Sequence, residues 1–181
     1  MRITICSSSN NSIEDIYKIS TKKLLDYLVN IPNIELNWGS CSTSIMGLCY
    51  DTFKEANLPI HGFTTKKYID DLKNLDKANH LIFDTTFDLK KEMFMNADII
   101  LILEGGTGTI SEFFSYLEEI RSNDVNKLLI LWNENHFYDK LLVLIDDLID
   151  KKFNSESIYN YFKIVDNIDE LNKILMENSN V

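Results

Sequence analysis

Apolar residues in this chain occur either as short unbroken runs or at helical spacing, and the two patterns alternate along its length. Residues 3–6 form the first run and end in the polar turn Ser7-Ser8-Ser9-Asn10-Asn11, after which Ile13, Ile16, Tyr17, Leu24, Leu25 and Leu28 recur with a helical period. The spacing predicts strand, turn and helix, with Asn11 as the N-cap three residues before Glu14 and Pro32 beyond the helix end. By the same reading strands are expected over 34–38, 59–63, 80–83, 99–103, 128–132 and 161–165. Helices are expected over 42–56, 87–96, about 109–121, 137–150 and 168–176, with a helical turn near Asp70.

Strands joined by helices imply right-handed crossovers and a mostly parallel sheet covered on both faces, an α/β architecture of three layers, αβα. The run Ile99-Ile100-Leu101-Ile102-Leu103 has no polar position, as a strand buried on both faces requires. Ligands of such open sheets gather beyond the carboxyl ends of the strands, so the loops after Cys6, Trp38 and Leu103 are where a site is expected.

Composition narrows the possibilities. With 181 residues, 45% hydrophobic and 11% aromatic, the chain can bury one core, and no linker or internal repeat divides it, so a single domain over 1–181 is expected. A net charge of −10 argues against a nucleic-acid surface, which needs lysines and arginines to displace counterions, and leaves a small molecule or a protein as partner. Acidic residues near the C-terminus, such as Asp146, Asp147 and Asp150, read as a solvated helix face. Cys6, Cys41 and Cys49 lack CxxC spacing, nothing at the N-terminus reads as a leader, and no apolar stretch is long enough to span a bilayer. A cytoplasmic protein with reduced thiols and no membrane association is expected. His61, His80 and His136 are scattered, so no metal site is expected.

The loop Glu104-Gly105-Gly106-Thr107-Gly108-Thr109 carries the most chemistry. It follows the buried strand and opens a helix, so glycines without Cβ, two threonine hydroxyls and a helix N-terminus converge where a phosphate could sit. Its spacing matches neither GxGxxG nor GxxxxGK[ST], and a tight turn without a ligand is the other reading. On the following helix Ile110, Phe113, Phe114, Leu117 and Ile120 form one apolar stripe and leave Glu112 off that face. Helix geometry alone allows Glu112 to serve a ligand in the loop or to be a surface glutamate.

The segment Gly105-Gly106-Thr107-Gly108-Thr109-Ile110-Ser111-Glu112 resembles the PGGxGTxxE motif of LOG-type proteins, the cytokinin riboside 5′-monophosphate phosphoribohydrolases, many of them once labelled lysine decarboxylases. Cys6-Ser7-Ser8-Ser9 is similar to the CGSS turn of that family. The stretch from Trp38 to Gly47 is similar to a degenerate GGGxxGLMG, and Lys90-Lys91-Glu92-Met93 with Ala97-Asp98 to RKxxM…AD. The resemblance implies a dimeric Rossmann-like domain that hydrolyses the N-glycosidic bond of a nucleoside 5′-monophosphate without a cofactor. It implies Glu112 as the catalytic carboxylate and Lys90 as the cation near the phosphate or leaving base. It also implies Ser8, Gly39, Gly105, Gly106, Thr107, Gly108 and Thr109 as ligand and phosphate contacts. Met46 and Met93 fall at base-pocket positions, with core filling as their other reading.

The chain departs from the family at several positions. The family's arginine is Leu89, for which Lys91 or Arg121 are the candidate substitutes, and glycines of the second motif are replaced by Ser40, Cys41 and Ser44. The loop proline is Glu104, whose charge beside a phosphate is unfavourable by on the order of 1–4 kcal/mol per charge pair at ~4 Å. Glu104 is therefore expected to bind sugar hydroxyls, favouring a nucleoside or modified nucleotide. Two functions follow: an N-glycosidase releasing free base from a (deoxy)ribonucleoside 5′-monophosphate or related nucleoside, or a non-catalytic nucleotide sensor or carrier, similar to molybdenum cofactor carrier proteins.

Overall fold

The computed structural model describes residues 1–123 and 125–178. Along the chain the elements are β1 (Arg2–Cys6), α1 (Asp15–Leu28), β2 (Glu35–Trp38), α2 (Ser44–Glu55), β3 (Ile60–Thr65), a 3₁₀ segment (Lys66–Asn74), β4 (Asn79–Phe83) and α3 (Thr86–Met95). There follow β5 (Ile99–Ile102), α4 (Thr107–Asn123), β6 (Leu128–Trp132), α5 (Asp139–Asp150), β7 (Lys163–Val165) and α6 (Ile168–Asn178). Short 3₁₀ turns at Glu134–His136 and Glu156–Asn160, which carry no apolar period, precede α5 and β7.

The seven strands form one sheet in the order β4-β3-β2-β1-β5-β6-β7, and every pairing is parallel. Helices α1, α2 and α6 pack on one face and α3, α4 and α5 on the other, giving the expected three layers. Strand β5 shows why its sequence has no polar position: Ile99, Leu101 and Leu103 feed the first core, Ile100 and Ile102 the second. Each such side chain contributes about 1.5–3 kcal/mol by leaving water.

Two buried polar groups interrupt the apolar strands and hold α3 in place. The Thr4 hydroxyl donates to the Met93 carbonyl at 3.0 Å, and Asn37 Nδ2 donates to the Asn96 carbonyl at 3.1 Å. Asn11 does not cap α1 as its spacing suggested. The N-cap is Glu14, which makes no side-chain capping bond, while Asn11 Oδ1 accepts the backbone N–H of Ser44 at 2.8 Å. An orphan N–H at the start of α2 takes the acceptor that local spacing assigned to α1. Helix α4 starts at Thr107, two residues earlier than periodicity suggests, because the glycine-loop threonines themselves join its first turn.

Candidate functional site

Strand order reverses between β1 and β5, so the loops after them diverge and leave a crevice at the carboxyl edge of the sheet. The loops are cross-linked by backbone bonds that prolong the ladder: Leu103 N–H donates to the Cys6 carbonyl at 2.9 Å and Ser8 N–H to the Glu104 carbonyl at 3.0 Å. From the other side the loop before α2 is stitched to the β1 loop. Met46 N–H donates to the Ser8 carbonyl at 3.1 Å, and the hydroxyls of Thr43 and Ser44 donate to the carbonyls of Ser9 and Asn10, each at 2.7 Å. Ser40 and Ser44, which stand where the related motif has glycine, adopt φ of 49° and 54°. Their hydroxyl bonds, from Ser40 Oγ to His80 Nδ1 at 3.0 Å and from Ser44 to Asn10, offset a backbone conformation that L-residues rarely take.

The crevice encloses a cavity of about 610 Å³, walled by the loops after β1, β2 and β5 as the sheet order requires, together with the end of β3, the 3₁₀ segment and α3. Of the residues singled out from sequence, Ser8, Gly39, Met46, Met93, Gly106, Thr107, Gly108, Thr109 and Glu112 line it. Leu89 also lines it, so the cation position of the related motif is occupied by an alkyl side chain in the wall itself.

Glu112 is half-buried on the first turns of α4, beside Thr109 and Phe113, and is no surface glutamate. Burial pushes its carboxyl above the usual glutamate range, while nearby Lys90 and the Cys6 thiol draw it back down. Lys90 stands outside the cavity wall, its Nζ donating to Ser111 Oγ at 2.8 Å from α3 to α4. The Cys6 thiol is itself pushed up by burial and by the Glu112 charge, and so remains a thiol beside that carboxylate.

Gly105 and Glu104 do not face the cavity. Gly105 is buried beneath the loop, where a Cβ would stand 2.1 Å from Thr109 Oγ1; at Gly106 a Cβ would meet nothing within 4 Å, because that position opens onto the site. The Glu104 side chain is only 2% exposed, and neither carboxylate oxygen has a hydrogen-bond partner. The expected contact between Glu104 and sugar hydroxyls is thus corrected: in the turn that follows β5 the side chain is buried and does not line the cavity. Burial, with Glu134 nearby, raises its carboxyl to about 7. Arg121 forms a surface pair with Glu118 at 2.8 Å, and Lys91 is exposed, so neither replaces the missing arginine in the wall.

Sequence reasoning missed Thr64, Thr65, Tyr68 and Asp71, which close the cavity from the end of β3 and the following 3₁₀ segment. The carboxyl-edge rule that selected the other loops would have selected this one too. No group of three or more His, Cys, Asp or Glu side chains suited to a metal occurs among the described residues.

Sheet order, glycine loop and half-buried carboxylate define a Rossmann-like α/β domain with a ligand cavity at its topological switch point. Residues 46–175 match the family described as "Possible lysine decarboxylase", and the chain belongs to that family. The resemblance to LOG-type proteins is thereby borne out. Cytokinin riboside 5′-monophosphate phosphoribohydrolase LOG2 of Arabidopsis thaliana is 27% identical over 177 residues, spanning 97% of this chain and 83% of the plant protein. LOG5 of the same plant is 24% identical, spanning 94% of this chain and 75% of its own. Among solved structures, the molybdenum cofactor carrier protein of Chlamydomonas reinhardtii superposes with a TM-score of 0.70 at 11% identity over 97% of this chain and 96% of its own. The molybdenum cofactor binding protein of Rippkaea orientalis gives 0.64 at 15% identity over 97% and 95%. These two share the fold.

Proposed function

We propose that the protein is an N-glycosyl hydrolase that releases the free base from a small nucleoside or nucleotide, with Glu112 as the catalytic carboxylate. The observation that carries this reading is the placement of Glu112: half-buried, in the cavity wall, beside the exposed N-terminal turn of α4. Cleavage of the C1′–N bond leaves its electron pair on the base and a cationic sugar carbon, which water then attacks. A carboxylate beside that carbon stabilises the cation and takes up the proton from the attacking water, and the departing base takes its proton from solvent, so that protons balance overall. Lys90, near Glu112, works against burial and favours the ionised form of the carboxyl. The plant relatives, named for such hydrolysis, support the reaction class.

The reading is tested by following free base chromatographically from a panel of nucleosides and 5′-monophosphates. Glu112→Gln is expected to lower release at least about 100-fold while leaving the melting curve intact. Undiminished release from the variant contradicts the role. The second reading, a non-catalytic binder, is favoured by Leu89 in the wall. It predicts thermal stabilisation by ligands with no release from any of them.

We also propose a homodimer that meets through the α3 face, where Phe87 is 84% and Met95 59% exposed. Three free cysteines fit a reducing cytoplasm, and no helix among the described residues is long and apolar enough to cross a membrane.

A further inference from the structure

The cavity wall contains four serines, six threonines and Tyr68, two carboxylates, Asp71 and Glu112, and no lysine, arginine or histidine among the described residues. A phosphate dianion bound there would meet hydroxyls, backbone N–H groups and the N-terminus of α4, with no cationic side chain in the wall. Behind the glycine loop stands a third carboxylate. Glu104 directly precedes Gly105, is 98% removed from solvent (2% exposed), and has no partner on either oxygen. Its carbonyl accepts the Ser8 N–H at 3.0 Å, so the residue is anchored directly behind the loop that opens α4, on whose positive end an anion in the cavity would draw. Lys90, outside the wall, donates to Ser111 and places its charge on the side of Glu112.

We propose that Glu104 is a specificity-determining residue that sets the glycine loop against phosphate, so that the site takes a phosphate-free nucleoside in preference to its 5′-monophosphate. The inference rests on the reading of the cavity as a nucleoside-type glycosidase site and names its substrate class. A neutral polyol suits the wall: ribose hydroxyls find hydroxyl and backbone partners, and Glu112 lies where it can face the sugar carbon. Glu104 itself touches no ligand. It acts through the field it places on Gly106, Thr107 and Gly108. At pH 8, above the value near 7 to which burial raises it, Glu104 is charged and the discrimination is at its fullest.

The test compares adenosine with adenosine 5′-monophosphate, and uridine with its monophosphate, at pH 8 and low salt, on wild type, Glu104→Gln and Leu89→Arg. Base release is expected to favour the nucleoside at least tenfold in kcat/KM for the wild type. Glu104→Gln is expected to move that ratio at least fivefold toward the monophosphate, with kcat on the nucleoside little changed, which general damage to the fold would not do. Leu89→Arg, which adds a cation to the wall without touching β5, should move it the same way and serves if Glu104→Gln fails to fold. A wild-type preference for monophosphates, or a ratio unmoved by either variant, overturns the proposal. If no base is released the glycosidase reading fails, and the same ratios are then read from ligand-induced thermal shifts. Nucleoside preference there still upholds the discrimination, whereas binding of neither ligand overturns it.

Discussion

Gly105 and Gly106 are adjacent in the loop, yet a methyl group at each would meet different surroundings. At 105 it would collide with the Oγ1, Cβ and Cγ2 atoms of Thr109, at 2.1, 2.5 and 2.9 Å, in the first turn of α4. Because Thr109 Cβ is fixed by the helix backbone, relief requires the loop to move, and Gly105→Ala is expected to cost about 1–3 kcal/mol in chemical denaturation. Gly106→Ala meets open space and should stay within about 0.5 kcal/mol of wild type. Its effect belongs in ligand affinity, because Gly106 lines the cavity. Equal destabilisation by the two changes would contradict this division. Both glycines were legible in the sequence as one motif, but their opposite orientations were not, since those depend on how α4 turns over the loop. The helical period left Glu112 off the apolar stripe, open between a ligand group and a surface glutamate, and only the family resemblance gave it a role. Glu104 was misread for a physical reason: a charged residue beside a binding loop ordinarily faces solvent or ligand, and only the turn after β5, tied to the β1 loop, shows it buried.

At the scale of elements, the cavity depends on the β1 loop and the start of α2 acting as one unit. Asn11 spans them through the Ser44 N–H, joined by the Thr43 and Ser44 hydroxyl bonds. Asn11→Ala should cost about 1 kcal/mol, as loss of a helix-start acceptor does, and raise KM more than it lowers kcat because it loosens a wall rather than removing a reacting group. A fall in kcat with KM unchanged would contradict that role. Strands and helices were legible because each buried face repeats with its own period, and β6 (Leu128–Trp132) matches its expected bounds at both ends. The 3₁₀ segment Lys66–Asn74 was seen only as a turn near Asp70. It buries no residue fully and only Leu72 packs partly against the core, so no buried face fixes its extent, although it delivers Tyr68 and Asp71 to the cavity.

At the scale of the whole molecule, large apolar side chains are exposed at several places, one of them the edge formed by α3 and β4. Phe87 and Met95 on α3 and Leu81 and Ile82 on the edge strand β4 are all substantially exposed, and α3 and β4 pack against each other. The proposed second copy of the chain would cover this surface. Light scattering should give twice the chain mass for wild type and a shift toward the single-chain mass for Met95→Asp, whereas a wild-type monomer at micromolar concentration would contradict the proposed assembly. The switch-point cavity was legible in outline from the alternation of strands and helices, which placed three of its loops correctly. Its lack of cations emerged only when Leu89 was found in the wall and Arg121 and Lys91 outside it. The central claim, hydrolysis that depends on Glu112, is tested most directly by running the reaction in ¹⁸O-labelled water and analysing the sugar product by mass spectrometry. Label on the sugar carbon freed from the base, formed by wild type and lost in Glu112→Gln, is the predicted result. Unlabelled or absent sugar product from the wild type, or equal labelling by the variant, would contradict it.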